Sequence, residues 1–316
     1  MIRSKDHPDA AAEFVDQRRG GDTRRARRRR RLRRYGRRAY IRSVYTLPSL
    51  CTLGNAVCGF ASMYVGFLIM IPGEKFGNPW VTHGMAAAAY LIFLAMLFDA
   101  LDGRLARFAR HTTDFGGQLD SLADVISFGA APAFLMLLVF KQFGPDLPFR
   151  MHQIIWSVGA VYLACAAVRL ARFNVSNKHG EQHHFSFLGL PSPGAAAAVA
   201  GVVLMQQELR NRGWSFLADM CVLLLPVLVG VTGFLMISSI RYPHMVNRYL
   251  RGKHSIARLV VALTLLLLLV VAHQYTVGVA SVAYALWGPA SYLYVRFRRK
   301  SGPTGKGGPT MAGPVV

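Results

Sequence analysis

From Leu50 onward the chain consists of long apolar runs separated by short polar segments. A helix needs about 20 predominantly apolar residues to cross the hydrocarbon core of a bilayer. Runs of that order predict spans at about Leu50–Ile71, Thr82–Phe108, Gln118–Phe140, Met151–Phe173, Pro193–Gln207, Ser215–Ile240, Ile256–Val271 and Val277–Val295. The fold class is therefore an all-α polytopic membrane protein of about eight transmembrane helices. PGEKFGNPWVTH reads as a short exposed loop after the first span, and the uncharged HQYT joins the last two. KHGEQHH, inside Ser176–Phe187, reads as a solvated loop in preference to a metal site built on His179, His183 and His184. The last two spans hold no buried ionisable residue in this reading and look structural.

Charge changes the picture mainly at the N-terminus. The 316 residues are 53% hydrophobic yet carry a formal charge of +22, and fourteen arginines lie between Arg18 and Arg42. Residues 1–45 read as a basic, largely disordered tail, with Tyr40–Thr46 a candidate interfacial helix. Because the tail adjoins a span and has no folded module, anionic lipid headgroups are its expected partner. Each basic residue near such a surface contributes about 1 kcal/mol. Nucleic acid is not an expected partner. Residues 297–316, basic and rich in Gly and Pro, read as a second disordered tail. The first apolar run is too long for a secretory signal. Cys51, Cys58, Cys165 and Cys221 lie in apolar segments without CxxC spacing, so they read as small buried hydrophobes. An even number of spans puts both termini on one side. That side collects the N-terminal tail, Arg104–Arg110, Arg169–Lys178, Arg241–Arg258 and Arg296–Lys300. Only Lys75, Lys141, Arg150, Arg210 and Arg212 fall on the other side, which orients the termini to the cytoplasm across the inner membrane.

Candidate chemistry is concentrated in DALDGRLARFARHTTDFGGQLDSLAD, Asp99–Asp124. Carboxylates are expensive at membrane depth, so these are expected to face a cavity, a partner or an ion. On a helix, Asp99, Asp102, Gly103, Ala106 and Arg107 form one stripe, and Asp120 and Asp124 share one face of the next. HTTDFGG is read as the turn between them, with Thr and Asp as N-cap candidates. Two antiparallel helices then present paired carboxylates to each other. Such an all-oxygen set suits Mg²⁺, Mn²⁺ or Ca²⁺ better than Zn²⁺. Two such ions could clamp a diphosphate. Gly103 and Ala106 leave room for a bulky ligand, and Arg107 offers a bidentate phosphate contact. After this stretch, Ser127, Gly129 and Pro132 are expected to interrupt the third helix chemically. Arg169 and Arg172 lie at the cytoplasmic end of the fourth, either snorkelling to headgroups or binding an anion.

The spacing D-x2-D-G-x2-A-R-x8-G-x3-D-x3-D, here Asp99, Asp102, Gly103, Ala106, Arg107, Gly116, Asp120 and Asp124, resembles the signature of the CDP-alcohol phosphatidyltransferases. TLGNAVCGFAS, LDSLADVISFGAAPA, RLARFN with FLGLPSPGAA, and LMISSIRYP resemble the membrane-embedded phosphatidylserine synthases of that family. The resemblance implies a catalytic core over residues 46–243, with two additional helices over 244–296. It implies transfer of a phosphatidyl group from CDP-diacylglycerol to L-serine, giving phosphatidylserine and CMP. Asp99, Asp102, Asp120 and Asp124 would hold two divalent ions, and Asp124 would be the general base. Thr52, Asn55, Asp99, Gly103, Ala106, Arg107 and Gly116 would bind the CDP moiety, although Pro48-Ser49 stands where the family often has Pro-Asn. Ser127, Arg169 and Arg172 are our candidates for the acceptor side. The resemblance also implies a homodimer. Rival readings are another acceptor, such as glycerol 3-phosphate or inositol phosphate, and an ion-coupled transporter. A transporter should show a second acidic half, and Ser192–Val295 offers none.

Overall fold

The structure, a computed structural model, describes residues 48–71, 83–108, 114–178, 189–240 and 272–300. All regular structure among them is helical. Helix α1 is Pro48–Leu68, α2 Gly84–Phe108, α3 Asp114–Asp124 and α4 Ala131–Phe143. They are followed by α5, Phe149–Lys178, α6, Ser192–Asn211, α7, Ser215–Ile237, and α8, His273–Lys300. Five stretches are long and apolar enough to cross a membrane: Pro48–Leu68, Gly84–Leu105, Phe115–Phe143, Phe149–Val175 and Ser215–Ile237. The chain is thus a multi-pass helical membrane protein.

The expected count of eight spans is not reached among the described residues, for two reasons. The run Ile256–Val271, the Arg-rich tail and the His179–His184 loop lie outside them, as does most of PGEKFGNPWVTH. Helices α6 and α8 are the other two, and neither is among the strongly apolar spans. Helix α6 sits inside the bundle against α2, α7 and α8, with Ala195, Ala196, Ala198, Val199 and Ala200 all fully buried. A helix enclosed by other helices needs small packing residues more than lipid-soluble ones.

HQYT does not form a connection. It is the first turn of α8, where Thr276 N–H bonds Ala272 O at 2.9 Å. Similarly Asp114, Phe115, Gly116 and Gly117 lie within α3 and not in a turn, while His111, Thr112 and Thr113 lie outside the described residues. A Cβ on Gly117 would meet nothing within 4 Å.

The third span is widened where interruption was expected. Val125–Ala130 is a π-helical turn joining α3 to α4 without a break, closed by Ala131 N–H to Ile126 O. Pro132 follows and has no N–H to give Phe128 O, four residues back. Tyr162 of α5 supplies the missing donor, its hydroxyl reaching Phe128 O at 3.0 Å. Both residues are fully buried, so the hydroxyl meets the carbonyl in an apolar interior, where a polar group needs a protein partner.

Gly189 anchors the entry to α6. Its φ of +88° is a left-handed conformation, and a Cβ there would collide with the Met236 carbonyl. Gly189 N–H bonds Ile240 O, and Leu190 N–H bonds Leu235 O, both at 2.9 Å. Gly189 and Leu190 are thereby fastened to the end of α7, joining two stretches that lie far apart in sequence.

Candidate active site

The acidic centre is built by three helices. Asp99 and Asp102 stand one turn apart on α2, and Asp120 and Asp124 one turn apart on α3. One carboxylate oxygen from each of Asp99, Asp120 and Asp124 lies within 4.8 Å of the other two. Asp102 is buried beside them and close enough to interact electrostatically with Asp99 and Asp120. Asp102 Oδ2 and Asp120 Oδ1 are buried with no hydrogen-bond partner. Clustered carboxylates with orphaned oxygens repel one another unless positive charge lies between them. Hard cations take such oxygens at about 2.0–2.6 Å. The donor set therefore fits a divalent metal ion of the Mg²⁺, Mn²⁺ or Ca²⁺ type.

Helix α1 closes one side of this centre. Thr52, Asn55, Gly59 and Ser62 fall on one stripe, and all four are buried. Asn55 Nδ2 donates to Asp124 Oδ1 at 3.0 Å. Thr52 Oγ1 donates to Pro48 O at 3.0 Å and also lies within hydrogen-bonding reach of Asp102. The stripe's register is fixed by backbone approach. A Cβ on Gly59 would stand 2.6 Å from Ser127 Cα, so only glycine admits the π-turn this closely. Ser127 Oγ then donates to Asn55 O at 2.8 Å, and Ser62 Oγ to Ala88 O at 2.8 Å.

The other sequence candidates separate clearly. Gly103 is exposed, and a Cβ there would meet nothing within 4 Å, so open space adjoins the acidic stripe. Gly116 is half-buried in the first turn of α3. The side chains of Ala106 and Arg107 lie outside the described residues, although their backbone completes α2. Ser127 is fully buried, and its O–H is committed to the α1 backbone. Arg169 is half-buried, gives Nη1 to Ser192 Oγ at 2.8 Å and keeps an unpartnered Nε. It lies close enough to Asp124 to interact electrostatically. Arg172, one turn further on, is exposed. All four cysteines are unpaired.

Some contacts were not legible in the sequence reading. Ser121 and Asn174 exchange hydrogen bonds at 2.8 and 3.1 Å, tying α3 to the end of α5 beside Asp120 and Asp124. Asn174 closes the RLARFN stretch, which was the available signal. Ser192 as the partner of Arg169, and Tyr284 of α8 within electrostatic reach of Arg169, left no such trace.

Fold and site together define a polytopic helical membrane protein whose acidic centre is suited to a divalent cation. The family model for CDP-alcohol phosphatidyltransferases matches residues 45–225, which covers α1 to α6 and half of α7. The chain belongs to the CDP-alcohol phosphatidyltransferase family. It is 29% identical over 255 residues to a CDP-diacylglycerol–serine O-phosphatidyltransferase of Helicobacter pylori, covering 81% of this chain and 94% of that one. An archaetidylserine synthase of Methanothermobacter thermautotrophicus is 35% identical over 207 residues, 65% of this chain and 72% of the relative. A CDP-diacylglycerol–serine O-phosphatidyltransferase of Methanocaldococcus jannaschii is 37% identical over 158 residues, 50% and 64% of the two chains.

Proposed function

We propose that this chain transfers the phosphatidyl group of CDP-diacylglycerol to L-serine, forming phosphatidylserine and releasing CMP. The observation that carries the reading is the convergence of Asp99, Asp120 and Asp124 within 4.8 Å, with Asn55 bonded to Asp124. The serine acceptor is supported by the names of the relatives above, whose similarity extends well beyond the acidic centre.

In this reading Asp99, Asp102 and Asp120 hold two divalent cations, Mg²⁺ or Mn²⁺ with Ca²⁺ as a further candidate, and Asp124 reaches one of them. Such ions neutralise the diphosphate of the nucleotide lipid and stabilise charge on its leaving oxygen. The chain's residues do the rest. The open space beside Gly103 takes the CDP moiety, with Thr52, Ala106, Arg107 and Gly116 around it. Asn55 holds one oxygen of Asp124, leaving the other to accept the proton of the serine hydroxyl as that oxygen attacks the β-phosphorus. The new P–O bond to serine forms as the P–O bond to CMP breaks. Arg169, which lies near Asp124 and has an uncommitted Nε, takes the serine carboxylate, with Arg172 at the approach. Ser127 acts at one remove, by fixing the backbone that carries Asn55.

Residues 46–243 form the catalytic core in this proposal, and 244–296 two further helices. The termini and the acidic centre face the cytoplasm across the inner membrane, where nucleotides are available. The basic tail meets anionic lipid, and the chain works as a homodimer.

The test is CMP release by the purified protein in detergent. CDP-diacylglycerol and Mg²⁺ or Mn²⁺ are supplied with serine, glycerol 3-phosphate, inositol phosphate or no acceptor, beside Asp124→Asn. Release with serine alone, abolished by the substitution, is the expected result. Release with a different acceptor would retain the chemistry and discard serine.

A further inference from the structure

We propose that Tyr284 of α8, outside the region matched by the family model, is a positioning residue for Arg169 and so sets affinity for the acceptor. The inference rests on the reading of Arg169 as the acceptor's anion site.

The register of α8 brings Tyr284 there. Helices α6 and α8 cross at Gly201 and Gly278, where a Cβ on Gly278 would stand 2.9 Å from Gly201 O. Side chains at that crossing would drive the helices apart. From it, Tyr284 is six residues along α8 and Gly194 seven residues back along α6. At 1.5 Å per residue both displacements are about 10 Å, so an antiparallel pair brings the two residues level. A Cβ on Gly194 would meet Tyr284 Cε1 at 3.0 Å. The ring therefore lies against the first turn of α6, which also carries Ser192.

Arg169 enters the same corner from α5. Its Nη1 is held by Ser192, and both Asp124 and Tyr284 are within electrostatic reach. A long flexible cation near a carboxylate cluster would otherwise collapse onto the carboxylates. Ser192 fixes one end of the guanidinium, and in this proposal Tyr284 limits the space open to the other. Gly278, Ala285 and Gly288 of α8 are buried, and Tyr284 is partly buried against the core.

The experiment measures steady-state KM for serine and for CDP-diacylglycerol in the full-length protein carrying Tyr284→Phe, Tyr284→Leu, Arg169→Lys or Tyr284→Leu with Arg169→Lys. Tyr284→Leu should raise the serine KM about five- to ten-fold while the CDP-diacylglycerol KM stays within about two-fold. Tyr284→Phe, which keeps the ring, should lie between it and the unaltered protein. In the Arg169→Lys background, Tyr284→Leu should add little, because the group it positions has been replaced. Equal rises in both KM values, or effects that multiply in the double variant, would overturn the proposal. If the unaltered protein shows no serine-dependent CMP release, the acceptor reading itself has failed. Normal serine dependence with an unchanged KM in the Tyr284 variants rejects only the positioning role.

Discussion

Asn55 and Asp124, separated by 69 residues of sequence, are joined by a buried hydrogen bond of 3.0 Å from the amide Nδ2 to the carboxylate Oδ1. The bond crosses from α1 to the last residue of α3, one position before the helix widens into its π-turn. Asn55 Oδ1 has no partner of its own. An amide kept in an apolar setting with half its capacity unused is poorly explained by stability alone. Orientation of Asp124 explains it better.

Asn55→Ala should therefore separate activity from stability. Loss of a group that orients a ligating carboxylate costs about 10- to 100-fold in metal affinity or activity. Thermal stability should change less than activity, because the substitution leaves Asp124 Oδ1 without its donor but also removes the unsatisfied Asn55 oxygen. CMP release and the detergent melting temperature, measured on one preparation, check both halves. A large fall in melting temperature would make the bond structural instead.

Metal removal gives an independent reading of the acidic centre. Chelation should abolish CMP release, and adding back Mg²⁺ or Mn²⁺ should restore it. A cation that binds only the folded protein stabilises it by about 2.7 kcal/mol at a hundred times its Kd. The unaltered protein should therefore melt higher with the metal, whereas Asp99→Asn and Asp120→Asn should lose most of that increment. A metal-induced shift that survives both substitutions would move the cation site elsewhere.

The acidic centre was legible in the sequence because its chemistry is local. Asp99 with Asp102 and Asp120 with Asp124 are each one helical turn apart, and helical periodicity alone puts them on common faces. The all-helical class was legible for a similar reason, since apolar run length is read directly. What stayed hidden depends on how helices meet. Helix α6 has the composition of a modest span, and only its enclosure explains how it can be rich in alanine and glycine. The contact that Ser127 makes was equally out of reach of the sequence. Its neighbour is the α1 backbone, reached only because Gly59 has no side chain. Tyr284 drew no notice because Arg169, within electrostatic reach of it, lies on another helix more than a hundred residues earlier.

The π-turn yields a prediction confined to stability. Tyr162→Phe removes one hydroxyl and leaves Phe128 O buried, with neither Pro132 nor Tyr162 as its donor. An unsatisfied buried carbonyl costs about 1–3 kcal/mol. The variant should melt at lower temperature, and at temperatures where it remains folded both KM values should be close to normal. An unchanged melting temperature would mean that another donor reaches Phe128 O in the substituted protein.

Gly103→Ala sets fold and ligand against each other. Gly103 lies inside α2 and is exposed, and a Cβ there would meet no protein atom within 4 Å. Alanine in an exposed helix interior is favoured over glycine by about 1 kcal/mol, so the unliganded protein should be no less stable and should gain slightly. The same methyl group would project into the space assigned to the CDP moiety. The KM for CDP-diacylglycerol should rise, while the serine KM and the metal-induced melting shift should hold. Greater stability with weaker nucleotide-lipid affinity is expected only if that space belongs to the ligand. If the variant gained stability and kept its CDP-diacylglycerol KM, the nucleotide would have to be moved off the Gly103 face of α2.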